Sequence, residues 1–387
     1  MSALRSIFSR LTAHSYQSAH VNPDDIHVDG NGFLDFAPND LEKPTNWTTI
    51  RRVYVTITAV LLVVNAVLAS STPSGCLPSL SSHFNVSREA AGLTITLFLL
   101  GYCAGPLLFA PLSEFYGRQR VFFVTFTAYI LFNFLCAWAP NFAGLLVGRF
   151  LSGTFVAASL SNVPGVLADL WDPVSRGVAM AGFSIMVWIG PALGPIISGF
   201  FQLKEDWRWT FYNLLWMGGA TEGLMFTLPE TYAPVILKVK AQRIRRASPP
   251  GYEDIKAPIE ASEMSIVQSY KVALTRPWII LFDPISFCCA IYMAFVYLLL
   301  YMLFSIYPIV FQEKRGWNPG VGELPLLGTV LGAFLGGIVV VIFSRQQAKK
   351  SSAGHTIQPE DRLVLSMIGA VVFAASIFWL SWTAEYK

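Results

Sequence analysis

Few residues in this chain can do chemistry in an apolar setting, so each one is informative. Glu114 and Arg118 lie four residues apart in the tract Gly105-Pro-Leu-Leu-Phe-Ala-Pro-Leu-Ser-Glu-Phe-Tyr-Gly-Arg-Gln-Arg120. A carboxylate and a cation on either side of a turn at Gly117 can pin that loop, or latch against the positive N-terminal end of another helix. Arg149 sits within an apolar run, with Gly153 one turn on. A cation inside a membrane span costs several kcal/mol unless it faces a cavity or a partner. Either proton coupling or an anchor to a backbone carbonyl or carboxylate would satisfy it. Glu222, in Gly218-Gly-Ala-Thr-Glu-Gly223, is a proton carrier if buried and an interfacial residue if not. Asn65 and Asn162 are neutral polar groups suited to a central cavity. Tyr297 and Tyr301 add flat apolar contact with a hydroxyl, which suits bulky amphipathic or cationic ligands. Asp283, in Phe282-Asp-Pro-Ile285, reads as a helix start.

These residues must be positioned by helices in a bilayer. The 387 residues are 54% hydrophobic and 13% charged, with mean hydropathy +0.51. A soluble domain carries about 25% charged residues. The chain is therefore an all-α integral membrane protein, which excludes a secreted disulfide scaffold, a disordered chain and a nucleic-acid binder. The five cysteines form no metal or disulfide pattern, the five histidines lie outside the apolar runs, and there is no GxxxxGK[ST] loop. No metal or cofactor is expected, and no enzyme activity.

Apolar runs at roughly 53–71, 91–111, 121–139, 142–168, 177–201, 209–228, 287–310, 323–343 and 363–383 are each long enough to cross about 30 Å of hydrocarbon, giving nine predicted spans. Of 27 Lys and Arg residues, 20 fall on the side of the N-terminus, which places that terminus in the cytoplasm. Residues 1–50 read as a polar, disordered cytoplasmic tail. The segment 229–276, with Lys238, Lys240, Arg243, Arg245, Arg246 and a turn at Pro249–Gly251, reads as a basic cytoplasmic linker able to touch anionic lipid. It divides a six-helix bundle, 51–228, from a three-helix group, 277–387.

The span-five tract Gly182-Phe-Ser-Ile-Met-Val-Trp-Ile-Gly190-Pro-Ala-Leu-Gly194-Pro195-Ile-Ile-Ser-Gly199 combines glycines that admit a neighbouring backbone with two prolines that remove helix hydrogen bonds. Gly190, Pro191, Gly194 and Pro195 thus mark a pivot between two packings. Here the chain resembles the major facilitator superfamily. The tract ending at Arg120 is similar to its loop between helices two and three, in the PLSE-x-x-GR form of the fungal drug:proton antiporter branch. Ala110, Glu114 and Phe115 stand where the general pattern has Gly, Asp and Arg. Span five resembles the antiporter motif, and Arg149 with Gly153 the helix-four motif to which proton coupling is ascribed. Pro44-Thr-Asn-Trp47, Trp207-Arg-Trp-Thr-Phe211, Pro229-Glu-Thr-Tyr232, Tyr307-Pro-Ile-Val-Phe311 and Pro359-Glu-Asp-Arg-Leu363 resemble further tracts of the branch.

The resemblance implies a major facilitator fold whose twelve helices form two six-helix bundles of inverted repeats. Nine are read here, so the C-terminal bundle is expected to be incomplete. It also implies proton-coupled efflux of small organic molecules by a monomer in the plasma membrane, or alternatively a vacuolar one. A transport-inactive remnant or interaction partner is the second hypothesis, and a receptor-like protein the third and weakest.

Overall fold

A computed structural model describes residues 26–30, 32–247, 254–261, 266–352 and 363–384. The turn Pro249–Gly251 and residues 359–362 lie outside these residues. The long helices are α1 (Thr49–Ser71), α2 (Arg88–Tyr116), α3 (Arg118–Ala137), α4 (Phe142–Leu170), α5 (Pro173–Gln202) and α6 (Arg208–Met225). They continue with α7 (Ala233–Ala247), α8 (Ile266–Leu281), α9 (Pro284–Tyr307), α10 (Leu327–Ser352) and α11 (Leu363–Thr383).

Local chemistry sets several boundaries. Side-chain oxygens of Ser87, Asn141, Asp172 and Asp283 accept from the backbone N–H three residues on, capping α2, α4, α5 and α9. Asp283 thus starts a helix as its sequence context predicts. Gly117, at φ +90°, separates α2 from α3, a conformation costly for any residue with a Cβ.

Helices α1–α6 form one bundle with a continuous apolar core. Within it, α2 and α4 pack together through small residues. A Cβ added at Gly101 would lie 2.2 Å from the Phe150 carbonyl oxygen, and one at Gly153 2.2 Å from that of Phe98. Lipid tails supply no hydrophobic drive between helices, so such close backbone approach carries the packing. Helices α9, α10 and α11, the second helix group, surround a cavity beside α5 and pack only sparsely on one another, while α10 packs on α5. On α11, Phe378, Trp379 and Trp382 are 79%, 74% and 76% exposed.

Eight helices among the described residues are long and apolar enough to cross a membrane, against nine predicted. The difference is α6. It forms, but it is 18 residues long and carries Thr210, Asn213, Thr221 and Glu222, so polar groups lower its hydropathy. It still buries Phe211, Leu214, Gly218, Thr221 and Met225 in the bundle.

The segment before α1 also departs from expectation. Strands β1 (His27–Val28) and β2 (Leu34–Asp35) pair antiparallel, and Phe33 bridges to Lys256. Leu34 and Phe36 pack on Ile236, Leu237, Ala241 and Ile244 of α7 and on Ile255 and Ala257. Ion pairs Lys240–Asp40, Arg243–Glu42 and Arg245–Glu260 surround this cluster. Within the described residues, the end of the tail and the start of the linker therefore fold together. The amphipathic α7 supplies an apolar face that Leu34 and Phe36 can cover.

Candidate functional site

Three groups of residues bring the sequence candidates together. The first lies at the α2–α3 turn. Glu230, eight residues past the sixth-span candidate Glu222, is 8% exposed. Its Oε1 accepts the backbone N–H groups of Arg118, Thr231 and Tyr232, each at 3.0 Å, and its Oε2 that of Gln119 at 3.2 Å. The carboxylate thus caps the N-terminus of α3, where the helix leaves donors unpaired. Burial pushes the Glu230 carboxyl above its ordinary range, and the four N–H groups pull it only part of the way back. A Cβ at Gly117 would fall 2.2 Å from Glu230 Oε2, so glycine is needed there for space as well as for φ.

Arg118 does not pair with Glu114. Its Nε donates to Asp169 Oδ2 at 2.7 Å, and its guanidinium lies 5.2 Å from the Tyr232 ring centroid. Glu114 is exposed and makes no ion pair among the described residues. The four-residue spacing places Glu114 and Arg118 on either side of a helix break, and the turn at Gly117 carries Arg118 across to α4. Asn162 belongs to this group too. Its Oδ1 accepts from the Ser113 hydroxyl at 3.0 Å, which joins α2 to α4.

The second group is central. Arg149 is fully buried. Its Nε donates to the Thr94 carbonyl at 2.9 Å and one Nη to the Ala69 carbonyl at 2.8 Å, while Nη1 has no partner among the described residues. Its guanidinium carbon lies 4.1 Å from the Phe98 ring centroid. One cation therefore holds α1, α2 and α4 together. Next to it on α1, Ser70 shares a 2.8 Å hydrogen bond with the Tyr301 hydroxyl of α9, which links the two helix groups. Tyr297 stacks on Trp188 of α5 with centroids 5.2 Å apart. The Tyr102 hydroxyl is buried without a partner among the described residues, with Tyr297 and Tyr301 as electrostatic neighbours. Tyr102 was not a sequence candidate, because one tyrosine in an apolar run carries no pattern.

Asn65 and Glu222 tie α6 to its neighbours. The Asn65 amide donates to Leu61 O and to the Thr221 hydroxyl at 2.8 Å. The Thr127 hydroxyl donates to Glu222 Oε1 at 2.5 Å, and Oε2 is buried with no partner among the described residues.

The third group is α5. A Cβ at Gly190 would lie 2.1 Å from Val67, and one at Gly194 2.3 Å from Ser71 Oγ and 2.9 Å from Thr72 N. Pro191 and Pro195 lie inside this continuous helix. The same helix meets the other group: a Cβ at Gly199 would lie 2.8 Å from the Pro319 carbonyl, and Ile185 packs where a Cβ on Gly337 of α10 would sit. Between α5, α9, α10 and α11 lies a cavity of about 840 Å³, lined mainly by apolar residues such as Ile185, Trp188, Leu299 and Phe373. None of Asn65, Asn162, Tyr297 or Tyr301 lines it. Both asparagines spend hydrogen bonds on helix contacts instead.

Residues 59–386 match the family model described as Major Facilitator Superfamily. The chain is 38% identical over 359 residues to the MFS-type efflux pump MFS2 of Trichophyton rubrum, covering 90% of this chain and 59% of that protein. It is 39% identical over 353 residues to the major facilitator superfamily multidrug transporter mdrA of Aspergillus fumigatus, covering 89% of this chain and 57% of that protein. The chain thus spans less than two thirds of the length of these relatives. Its fold is similar to a partially occluded, inward-open conformation of the xylose transporter XylE from E. coli. That match has a TM-score of 0.54 and 17% identity, and covers 78% of this chain and 72% of the other.

Proposed function

The chain belongs to the Major Facilitator Superfamily, a family of transporters rather than enzymes, and from that premise we propose that it serves proton-coupled efflux of small organic molecules by alternating access. It is a multi-pass membrane protein. In this reading it sits in the plasma membrane as a monomer with its N-terminus in the cytoplasm. The relatives' names, an efflux pump and a multidrug transporter, support export over import.

One observation carries the proposal. Helix α5 meets α1 at backbone distance through Gly190 and Gly194, and meets the other helix group through Gly199 and Ile185. A helix with close, small-residue contacts on both sides is suited to rocking one group against the other. Glu114, Gly117 and Arg118 act with Glu230 and Asp169 as the latch at one end. Arg149 and Glu222, each with a buried polar atom lacking a partner among the described residues, are the groups assigned to proton coupling. Tyr297 and Tyr301 border the substrate path, and the apolar cavity favours hydrophobic compounds.

The test is accumulation of a fluorescent drug in cells lacking their own pumps. Expression of the chain should lower accumulation, a protonophore should restore it, and Arg149→Ala should remove the proton dependence. Accumulation equal to that of empty-vector cells would refute the efflux reading. Unchanged proton-dependent efflux in Arg149→Ala would refute the coupling role.

A further inference from the structure

Helix α7 carries five cations, Lys238, Lys240, Arg243, Arg245 and Arg246. Three of them are committed, Lys240 to Asp40, Arg243 to Glu42 and Arg245 to Glu260. Lys238 makes no ion pair among the described residues. Glu260 exerts a longer-range attraction on it, but that carboxylate is engaged by both arms of the Arg245 guanidinium. Arg120, the third residue of α3, likewise makes no ion pair among the described residues.

These two cations line one cavity of about 400 Å³ between α7 and the α2–α3 turn. Phe115 and Tyr116 from the end of α2, and Val235 and Val239 from α7, give it apolar walls. Gln242 adds an amide, and no carboxylate lines it. Tyr116 is the last residue of a 29-residue membrane span, so the cavity opens where α2 leaves the bilayer.

We propose that this cavity binds the phosphate headgroup of an anionic lipid from the leaflet on the N-terminal side. Two like charges facing one cavity raise its potential, and an anion relieves that repulsion. A guanidinium presents a fork to phosphate oxygens, and an ammonium adds a point charge. The aromatic and aliphatic walls suit the glycerol and first acyl carbons of a lipid, which a free phosphate ion does not have. Arg120 lies two residues from Arg118, so a bound lipid ties the linker helix to the same turn that Glu230 caps. This site is independent of what the protein transports.

Native mass spectrometry of the full chain in detergent, titrated with dioleoyl phosphatidic acid and with dioleoyl phosphatidylcholine, tests the proposal. Phosphatidic acid should bind more tightly, and Arg120→Gln with Lys238→Gln should weaken it by about thirtyfold. Neither side chain makes a hydrogen bond or ion pair among the described residues, so thermal unfolding should be unchanged. Arg246→Gln with Lys271→Gln removes the same charge outside the cavity and should leave the affinity within about threefold. An equal loss in that control pair would show a diffuse basic surface and overturn the site. Displacement of phosphatidic acid by millimolar inorganic phosphate would assign the cavity to the free ion and overturn the lipid.

Discussion

Glu230 accepts the backbone N–H of Arg118 at 3.0 Å, while the Arg118 side chain turns away to Asp169 at 2.7 Å. One residue is thus held twice, through its backbone by the segment after α6 and through its side chain by α4. The α2–α3 turn is fixed to two elements that are remote in sequence. Replacing Glu230 with Ala leaves four N–H groups without their acceptor and should cost about 2–4 kcal/mol. The measurement is thermal unfolding in detergent. A loss under about 0.5 kcal/mol, the level of an ordinary surface change, would mean the carboxylate is not capping α3.

The α1–α5 contact can be tested by glycine replacement. Gly194→Val must displace Ser71 and the Thr72 backbone, and overpacking of this kind costs about 1–3 kcal/mol. Gly182 lies on the same helix with no neighbouring atom within 4 Å of an added Cβ. Gly182→Ala should therefore be neutral, or stabilising by up to about 1 kcal/mol through helix propensity. Equal effects at the two positions would show that α5 does not approach α1 as described.

Arg149 offers a test of geometry separate from transport. Arg149→Ala strips the Thr94 and Ala69 carbonyls of their shared donor and should destabilise by about 2–4 kcal/mol. Arg149→Lys keeps the charge but has no planar fork to reach two carbonyls on different helices, so it should recover less than half of the loss. Full recovery by lysine would show that charge alone holds the site.

The ion pair between Arg245 and Glu260 predicts a pH dependence. Hydrogen bonding to the Arg245 guanidinium holds the Glu260 carboxyl below its ordinary range, against a smaller opposing effect of burial. A carboxyl lowered in the folded state stabilises above its unfolded value, and that contribution is lost as pH falls through the folded value. The packing of the tail on α7 should loosen as pH falls below the ordinary glutamate range, and Glu260→Gln should flatten the dependence. Hydrogen exchange at Leu34 and Phe36 across acidic pH reads this directly. An identical acid response in Glu260→Gln would assign the loosening to another group.

Much of this protein is legible in its sequence. Hydropathy is a local property, so it placed the long helices, and Asp283 marked the start of one of them. Glycine spacing in span five pointed to close packing, which the structure shows at Gly190 and Gly194. The span predicted at 209–228 forms as α6, and it falls below the others in hydropathy because Glu222 and its polar neighbours lie on it.

The sequence by itself determined the membrane class, the helices and the family, because apolar content and motif spacing are written along the chain. Tertiary structure decided the partners. Arg118 chose Asp169 over the nearer Glu114, Glu230 became the cap of a helix begun 112 residues earlier, and a segment that reads as disordered found cover on α7. A charge or donor pairs with whatever packing brings within hydrogen-bond reach, and that distance is set by helices meeting in space.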